Sequence, residues 1–157
     1  YYFLPLQLNS DFQVKDQAVL NSMPVFLEHV IASFARCAPA NTHLVIKNHP
    51  LDFGQIDYPS LIDHLARQYE VTGRIDYLET GDLQSLLKRA LGTITLNSTV
   101  GSVSLEYGCP TLCLADALYN VTGLTAQCDL ADFWTQLPKP DSDLFLQFKN
   151  IILNLQE

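Results

Sequence analysis

The chain has 157 residues, 17 acidic against 9 basic side chains and a formal charge of −8, with 48% hydrophobic and 10% aromatic residues. That apolar content describes one compact domain and excludes disorder over most of the length, because buried apolar area must offset the entropy lost on ordering the chain. The acidic balance excludes a protein that coats nucleic acid, which needs a continuous basic surface, so any anionic ligand must be held by a local site.

Apolar runs bounded by turn residues alternate with segments of helical period, the pattern of a parallel sheet with helices on its faces, and the fold class read from it is an α/β sandwich. The first strand is expected over Tyr2 to Leu8. A helix follows from about Val19 to Cys37, with Leu20, Met23, Leu27, Val30, Ile31 and Phe34 on one stripe and Glu28, His29 and Arg36 on the polar side. The second strand, His43 to Lys47, empties into Asn48-His49-Pro50. Pro59 opens a helix to about Tyr69, and Arg74 to Leu78 is a short third strand. Asp82 caps a helix with Leu83, Leu86, Leu87 and Ala90 inward. Thr93 to Leu96 is the fourth strand, with Asn97 or Ser98 capping a helix that stops at Gly108 before Pro110. Thr111 to Leu114 is the fifth strand, Ala115 to Thr125 an irregular connection, and Leu130 to Leu137 and Asp143 to Leu155 are closing helices.

No run approaches the roughly 18 apolar residues needed to cross a bilayer, and Tyr1 to Leu8 lacks a signal-type pattern. The first residue is not Met and already lies in a strand-like run, so the chain reads as a piece of a longer protein. Cys37, Cys109, Cys113 and Cys128 are too few for a disulfide scaffold, and a reducing cytoplasm fits them best. Cys109 and Cys113 have the spacing to share a strand face, but no further Cys or His pair completes a zinc set.

In open parallel sheets ligands bind beyond the carboxyl ends of the strands. Three segments qualify: Pro5-Leu6-Gln7, Lys47-Asn48-His49-Pro50, and Asn97-Ser98-Thr99-Val100-Gly101. The helix opening at Ser98 offers free N–H groups, two hydroxyls and a small Gly101 that would let an anion approach. Helical geometry puts Thr99, Ser102 and Glu106 on one azimuth, with about 10 Å of rise from Thr99 to Glu106, so a ribose hydroxyl could reach Glu106 while a phosphate rests on the helix end. The bland alternative is an ordinary capped helix with a solvated glutamate. Pro50 biases His49 to an extended conformation that aims its ring away from the loop. On a strand Lys47 and His49 share a face and could converge on one anion; the alternative is a hydrogen-bonded loop histidine. P-loop, dinucleotide and nucleophile-elbow motifs are absent, and Ser104 falls on a buried stripe, against a serine hydrolase. The Asn120-Val121-Thr122 sequon is incidental in a cytoplasmic chain.

Together "PLQ", "KNHP" and "TLNSTVGSVSLEYGCPTLCLADALYNVTGLT" from Thr95 to Thr125 resemble the capsule polysaccharide biosynthesis and export family, over roughly residues 1 to 125. That resemblance implies a Rossmann-like domain, the C-terminal nucleotide-binding half of a two-domain GT-B glycosyltransferase that moves Kdo (3-deoxy-D-manno-oct-2-ulosonic acid) from CMP-Kdo to a lipid-linked acceptor. It carries the donor-phosphate contacts onto His49-Pro50 and Ser98-Thr99, and makes Gln7 and Lys47 site residues. Glu106 as ribose partner rests on geometry and on analogy to other GT-B enzymes. A CMP-sugar has a single phosphodiester, so no metal or other cofactor is required. The implied partners are the donor, the acceptor, an N-terminal half of the same chain and the capsule export machinery, at the inner face of the inner membrane. The catalytic carboxylate is expected from the absent half; Asp11 is the only carboxylate here near a strand end that could substitute. Two other functions compete: a GT-B-shaped sugar-nucleotide epimerase preferring UDP-sugars, and a non-catalytic interaction module of the export complex.

Overall fold

The computed structural model describes residues 1–8 and 20–155; Asp11 and Val19 lie outside the described residues. Five parallel strands form one sheet in the order β3-β2-β1-β4-β5. They are β1 (Tyr2–Pro5), β2 (Leu44–Lys47), β3 (Ile75–Leu78), β4 (Gly92–Thr95) and β5 (Thr111–Cys113); β4 has the expected length shifted by one residue, and the other four are shorter than the sequence pattern predicts. Between and after them run α1 (Met23–Cys37), α2 (Tyr58–Gln68), α3 (Leu83–Arg89), α4 (Val100–Glu106), α5 (Leu130–Gln136) and α6 (Ser142–Leu155). This is the α/β sandwich that the alternating pattern predicts, with the Rossmann-like parallel sheet that the family resemblance implies.

Helix ends follow local chemistry. Ser22, Asp57 and Asp82 each accept a hydrogen bond from a backbone N–H in the first turn of α1, α2 and α3. Helix α1 starts at Met23, four residues later than predicted, because Ser22 supplies the cap and Pro24 fits the first turn. At the other end of α4, Gly108 adopts φ 68°. Its N–H bonds to Leu105 O at 2.9 Å and that of Cys109 to Ser104 O at 3.1 Å, closing the helix as the Gly-Pro signal predicts.

Apart from the edge strand β3, the strands are largely buried on both faces. Tyr2, Leu4, Leu44, Ile46, Ile94 and Leu112 meet α1, α2 and α5 in the main core, while Phe3 and Val45 meet α3 and α4 on the other side. A third cluster sets Tyr119 and Leu124 of the β5–α5 connection against Phe145 of α6.

In the main core Trp134, Tyr2 and Phe34 pack edge to face, with ring centroids 4.8 Å (Tyr2–Trp134) and 5.4 Å (Phe34–Trp134) apart. Tyr2 donates its hydroxyl to the Trp134 carbonyl, and Trp134 Nε1 donates to Ser33 Oγ at 2.9 Å. The Arg74 guanidinium lies 4.6 Å from the centre of the Phe34 ring. The Phe34→Ala variant is expected to lose about 3–5 kcal/mol of stability, the cost of an aromatic cavity plus lost transfer energy. Urea unfolding followed by circular dichroism checks this.

Candidate functional site

The strand order brings the carboxyl ends of β2, β1 and β4 side by side. Pro5 pairs with Lys47, and Phe3 with Thr93, so continuing that register sets Pro5 level with Thr95. With about 4.8 Å between neighbouring strands, the ends of β2 and β4 stand roughly 10 Å apart across β1. The chain changes its direction of travel across the sheet between β1 and β4, the position where open α/β sheets leave a crevice.

Gln7 spans that crevice. Its Nε2 donates to Asn97 Oδ1 at 2.9 Å, and its Oε1 accepts from the Asn97 N–H at 3.1 Å. The two carboxamides tie the loop after β1 to the loop after β4, and Gln7 is buried. Asn97 is therefore not a helix cap, which corrects the sequence expectation: its side chain is held by a residue 90 positions away.

Ser98 is not the cap either. Thr99 occupies that position with helical φ and ψ and no side-chain cap bond. Ser98 instead closes a tight turn: its Oγ accepts from Val100 N at 3.2 Å and its carbonyl from Gly101 N at 2.9 Å. Its own N–H donates to Thr95 Oγ1 at 3.1 Å, and Tyr119 donates its hydroxyl to the Ser98 carbonyl. Ser102 N bonds to Thr99 O at 3.1 Å. The N–H groups at positions 97, 98, 100, 101 and 102 are thus satisfied internally. No hydrogen bond among the described residues takes up the Thr99 N–H, and Thr99 is exposed. What remains for a ligand is one amide and the hydroxyls of Ser98 and Thr99, a narrower set of donors than an open helix end provides.

Gly101 has a different role from the one expected. A Cβ there would lie 2.6 Å from two ring carbons of Tyr119, so the small residue admits this ring, not a ligand. Burial, with the neighbouring Cys113 second, raises the pKa of the Tyr119 phenol, which stays a neutral donor to Ser98. Cys113 is itself pushed up to about 11 by burial, the state of an inert thiol.

Across β1, residues 49–52 form a turn closed by Asp52 N bonding to His49 O at 3.0 Å, with Pro50 at its first corner. The His49 ring does not point away from this loop: its Nδ1 accepts from Leu51 N at 3.1 Å. In the neutral ring that bond places the proton on Nε2, leaving a donor on the far side of the imidazole. Lys47 is half-buried and donates to the Asn48 carbonyl at 3.1 Å. The strand alternation that would put Lys47 and His49 on one face ends at Lys47, where the turn begins.

Glu106, at the last turn of α4, is ion-paired with Lys149 of α6 at 2.5 Å. Ser104 is fully buried in a hydroxyl chain with Thr93 at 2.8 Å and Thr111 at 2.9 Å, as its buried stripe predicts. Cys109 precedes β5 and Cys113 ends it, so they do not share a strand face. Sequence reasoning missed Thr95, Tyr119 and Asn48 as organising residues. Thr95 and Tyr119 hold Ser98, and the buried Asn48 holds the His49 turn by accepting from His49 N at 2.9 Å. All three stand inside quoted segments; nothing local marks Thr95 or Tyr119 as partners of Ser98, whereas an amide at a strand end is a signal for Asn48.

The family model for "Capsule polysaccharide biosynthesis protein" matches residues 1–155. The chain belongs to this family. It is 37% identical to the capsule polysaccharide modification protein LipB of Neisseria meningitidis, over 100% of this chain and 38% of LipB. It is also 37% identical to the capsule polysaccharide export protein KpsS of Escherichia coli, over 98% of this chain and 39% of KpsS. The chain thus spans well under half the length of these relatives. Among solved structures, the Staphylococcus aureus MnaA–UDP complex superposes with a TM-score of 0.50 at 14% identity, covering 98% of this chain and 46% of MnaA, a likeness of fold.

In this capsule-family domain Gly101→Ala separates two effects of opposite sign. Helix propensity favours Ala by about 0.8–1.0 kcal/mol, whereas forcing a methyl into a filled site costs about 1–3 kcal/mol. The variant is expected to be less stable by up to about 2 kcal/mol, and the same change in a Tyr119→Ala background to be neutral or stabilising. Denaturant midpoints of the four proteins check this.

Proposed function

We propose that the chain is the donor-nucleotide-binding domain of a GT-B-type capsule polysaccharide glycosyltransferase, which transfers Kdo from CMP-Kdo to a lipid-linked acceptor at the inner face of the inner membrane. The observation that carries this is the Gln7–Asn97 pair spanning the crevice between β1 and β4, with the Thr99 N–H and the Ser98 and Thr99 hydroxyls on one side. The His49 turn lies on the other side. Family membership over residues 1–155 supports a role in making or exporting capsule.

The chemistry is consistent. The phosphate of a CMP-sugar would accept from the Thr99 amide, the two hydroxyls and His49 Nε2. As the glycosidic bond breaks, negative charge grows on the departing phosphate, and donors already aimed there lower the barrier; removing one such donor typically costs about 2.7–4 kcal/mol. These donors need no bound metal to act. The acid or base that completes transfer is assigned to the remainder of a longer chain, together with the acceptor site. Glu106 would offer the ribose the carboxylate oxygen that Lys149 does not hold, and Asp11 lies outside the described residues.

Calorimetric titration of the full-length protein with CMP, CDP, UMP and UDP tests the assignment. Tightest binding of CMP is expected; preference for UDP would favour an epimerase, and no binding an interaction module. The His49→Ala/Ser98→Ala double variant is expected to bind CMP at least about tenfold more weakly, since hydrogen bonds to charged groups contribute about 1.5–3 kcal/mol each. Unchanged affinity in a stably folded double variant would contradict the phosphate site.

A further inference from the structure

Asn48 is 5% exposed, and its amide makes three polar contacts. Oδ1 accepts from His49 N at 2.9 Å. Nδ2 donates to Asp52 Oδ2 at 3.2 Å and to Glu79 Oε1 at 3.1 Å. Its main chain is held too, with N bonding to Leu78 O at 2.8 Å and O accepting from Lys47 Nζ. Asp52 also receives Gly54 N at 3.3 Å, and Glu79 Oε2 receives the Tyr77 hydroxyl at 2.8 Å.

These contacts form one chain from β3 to the imidazole. Tyr77 steadies Glu79, Glu79 and Asp52 orient the Asn48 amide, and Asn48 fixes the first N–H of the turn whose Leu51 N–H holds His49 Nδ1. The side chain must carry an acceptor toward His49 and donors toward two carboxylates at once. Asparagine meets that demand; an aspartate of the same shape would set a third carboxylate against the other two, and alanine would leave the His49 N–H and both carboxylates short of a partner. Tyr77, raised in pKa chiefly by burial and by Glu79, remains a donor throughout the neutral range.

We propose that Asn48 is a positioning residue for donor binding, holding the His49 imidazole with Nε2–H directed at the nucleotide phosphate. This rests on the phosphate site proposed above and adds the residue that orients its histidine. Asn48 itself touches no ligand; it acts through the turn.

The test is a double-mutant cycle in the full-length protein, with CMP affinity read by calorimetry and folding by thermal denaturation. Asn48→Ala is expected to weaken CMP binding about tenfold, the effect of misdirecting one donor to a charged group. In a His49→Ala background the same change is expected to have less than about a twofold effect, because the group it positions is gone. Long-range proton–nitrogen NMR of His49 gives a readout that general loosening would not move. The Nε2–H tautomer is expected in the parent and a mixture in Asn48→Ala. If Asn48→Ala unfolds the chain, Glu79→Ala takes its place, expected to weaken CMP several-fold, with recovery in Glu79→Gln, whose carbonyl still accepts from Asn48. Equal losses from Asn48→Ala with and without His49, or an unchanged tautomer, would overturn the positioning role and leave the phosphate site standing. No loss from His49→Ala alone would overturn the phosphate site itself.

Discussion

Two carboxamides facing each other across the top of the sheet organise everything around them. Gln7 uses both ends of its amide on Asn97, one on the side chain and one on the backbone. Because both ends of Gln7 are engaged and the side chain is buried, the loop after β4 cannot move away from the loop after β1 without leaving buried polar groups unpaired, a cost of about 1–3 kcal/mol for each. Ser98 follows Asn97 directly, so the donors at positions 98 and 99 inherit their place from this pair. Thr95 from below and Tyr119 from the side complete the frame.

On the proposed function, the frame accounts for how a chain with a charge of −8 would hold an anion. The donors left on the β4 side are an amide and two hydroxyls, neutral dipoles on a loop whose backbone is held by Gln7, Thr95 and Tyr119. The acidic groups nearest the His49 turn, Asp52 and Glu79, have their oxygens turned to the Asn48 amide, to Gly54 N and to the Tyr77 hydroxyl.

What could be read from the sequence divides by the range of the interaction. Asp82 as a cap, Gly108 with Pro110 as a stop, and the alternation of strands and helices are set by neighbours within a few residues, and they stand as expected. The placement of the three strand-end segments followed from a general property of parallel sheets once the alternation was seen. Asn97 or Ser98 as a cap is a local expectation that fails because Gln7, 90 positions distant, holds Asn97, and Gly101 as a ligand contact fails because Tyr119 arrives from beyond β5. His49 was aimed away from its loop on the basis of Pro50 alone, although the residue after that proline supplied the N–H that turns the ring back. For Asn97 and Gly101 a distant partner decides the outcome; for His49 the deciding partner is only two residues away.

The account depends on an anion lying between the Asn97-Ser98-Thr99 loop and the His49 turn. A crystal structure of the full-length protein with CMP tests this directly. The phosphate is expected within hydrogen-bond reach of the Thr99 N–H and the Ser98 hydroxyl, with His49 Nε2 facing it and the Gln7–Asn97 pair intact beneath. A phosphate bound elsewhere on the domain, or a Gln7–Asn97 pair broken to admit it, would contradict the account.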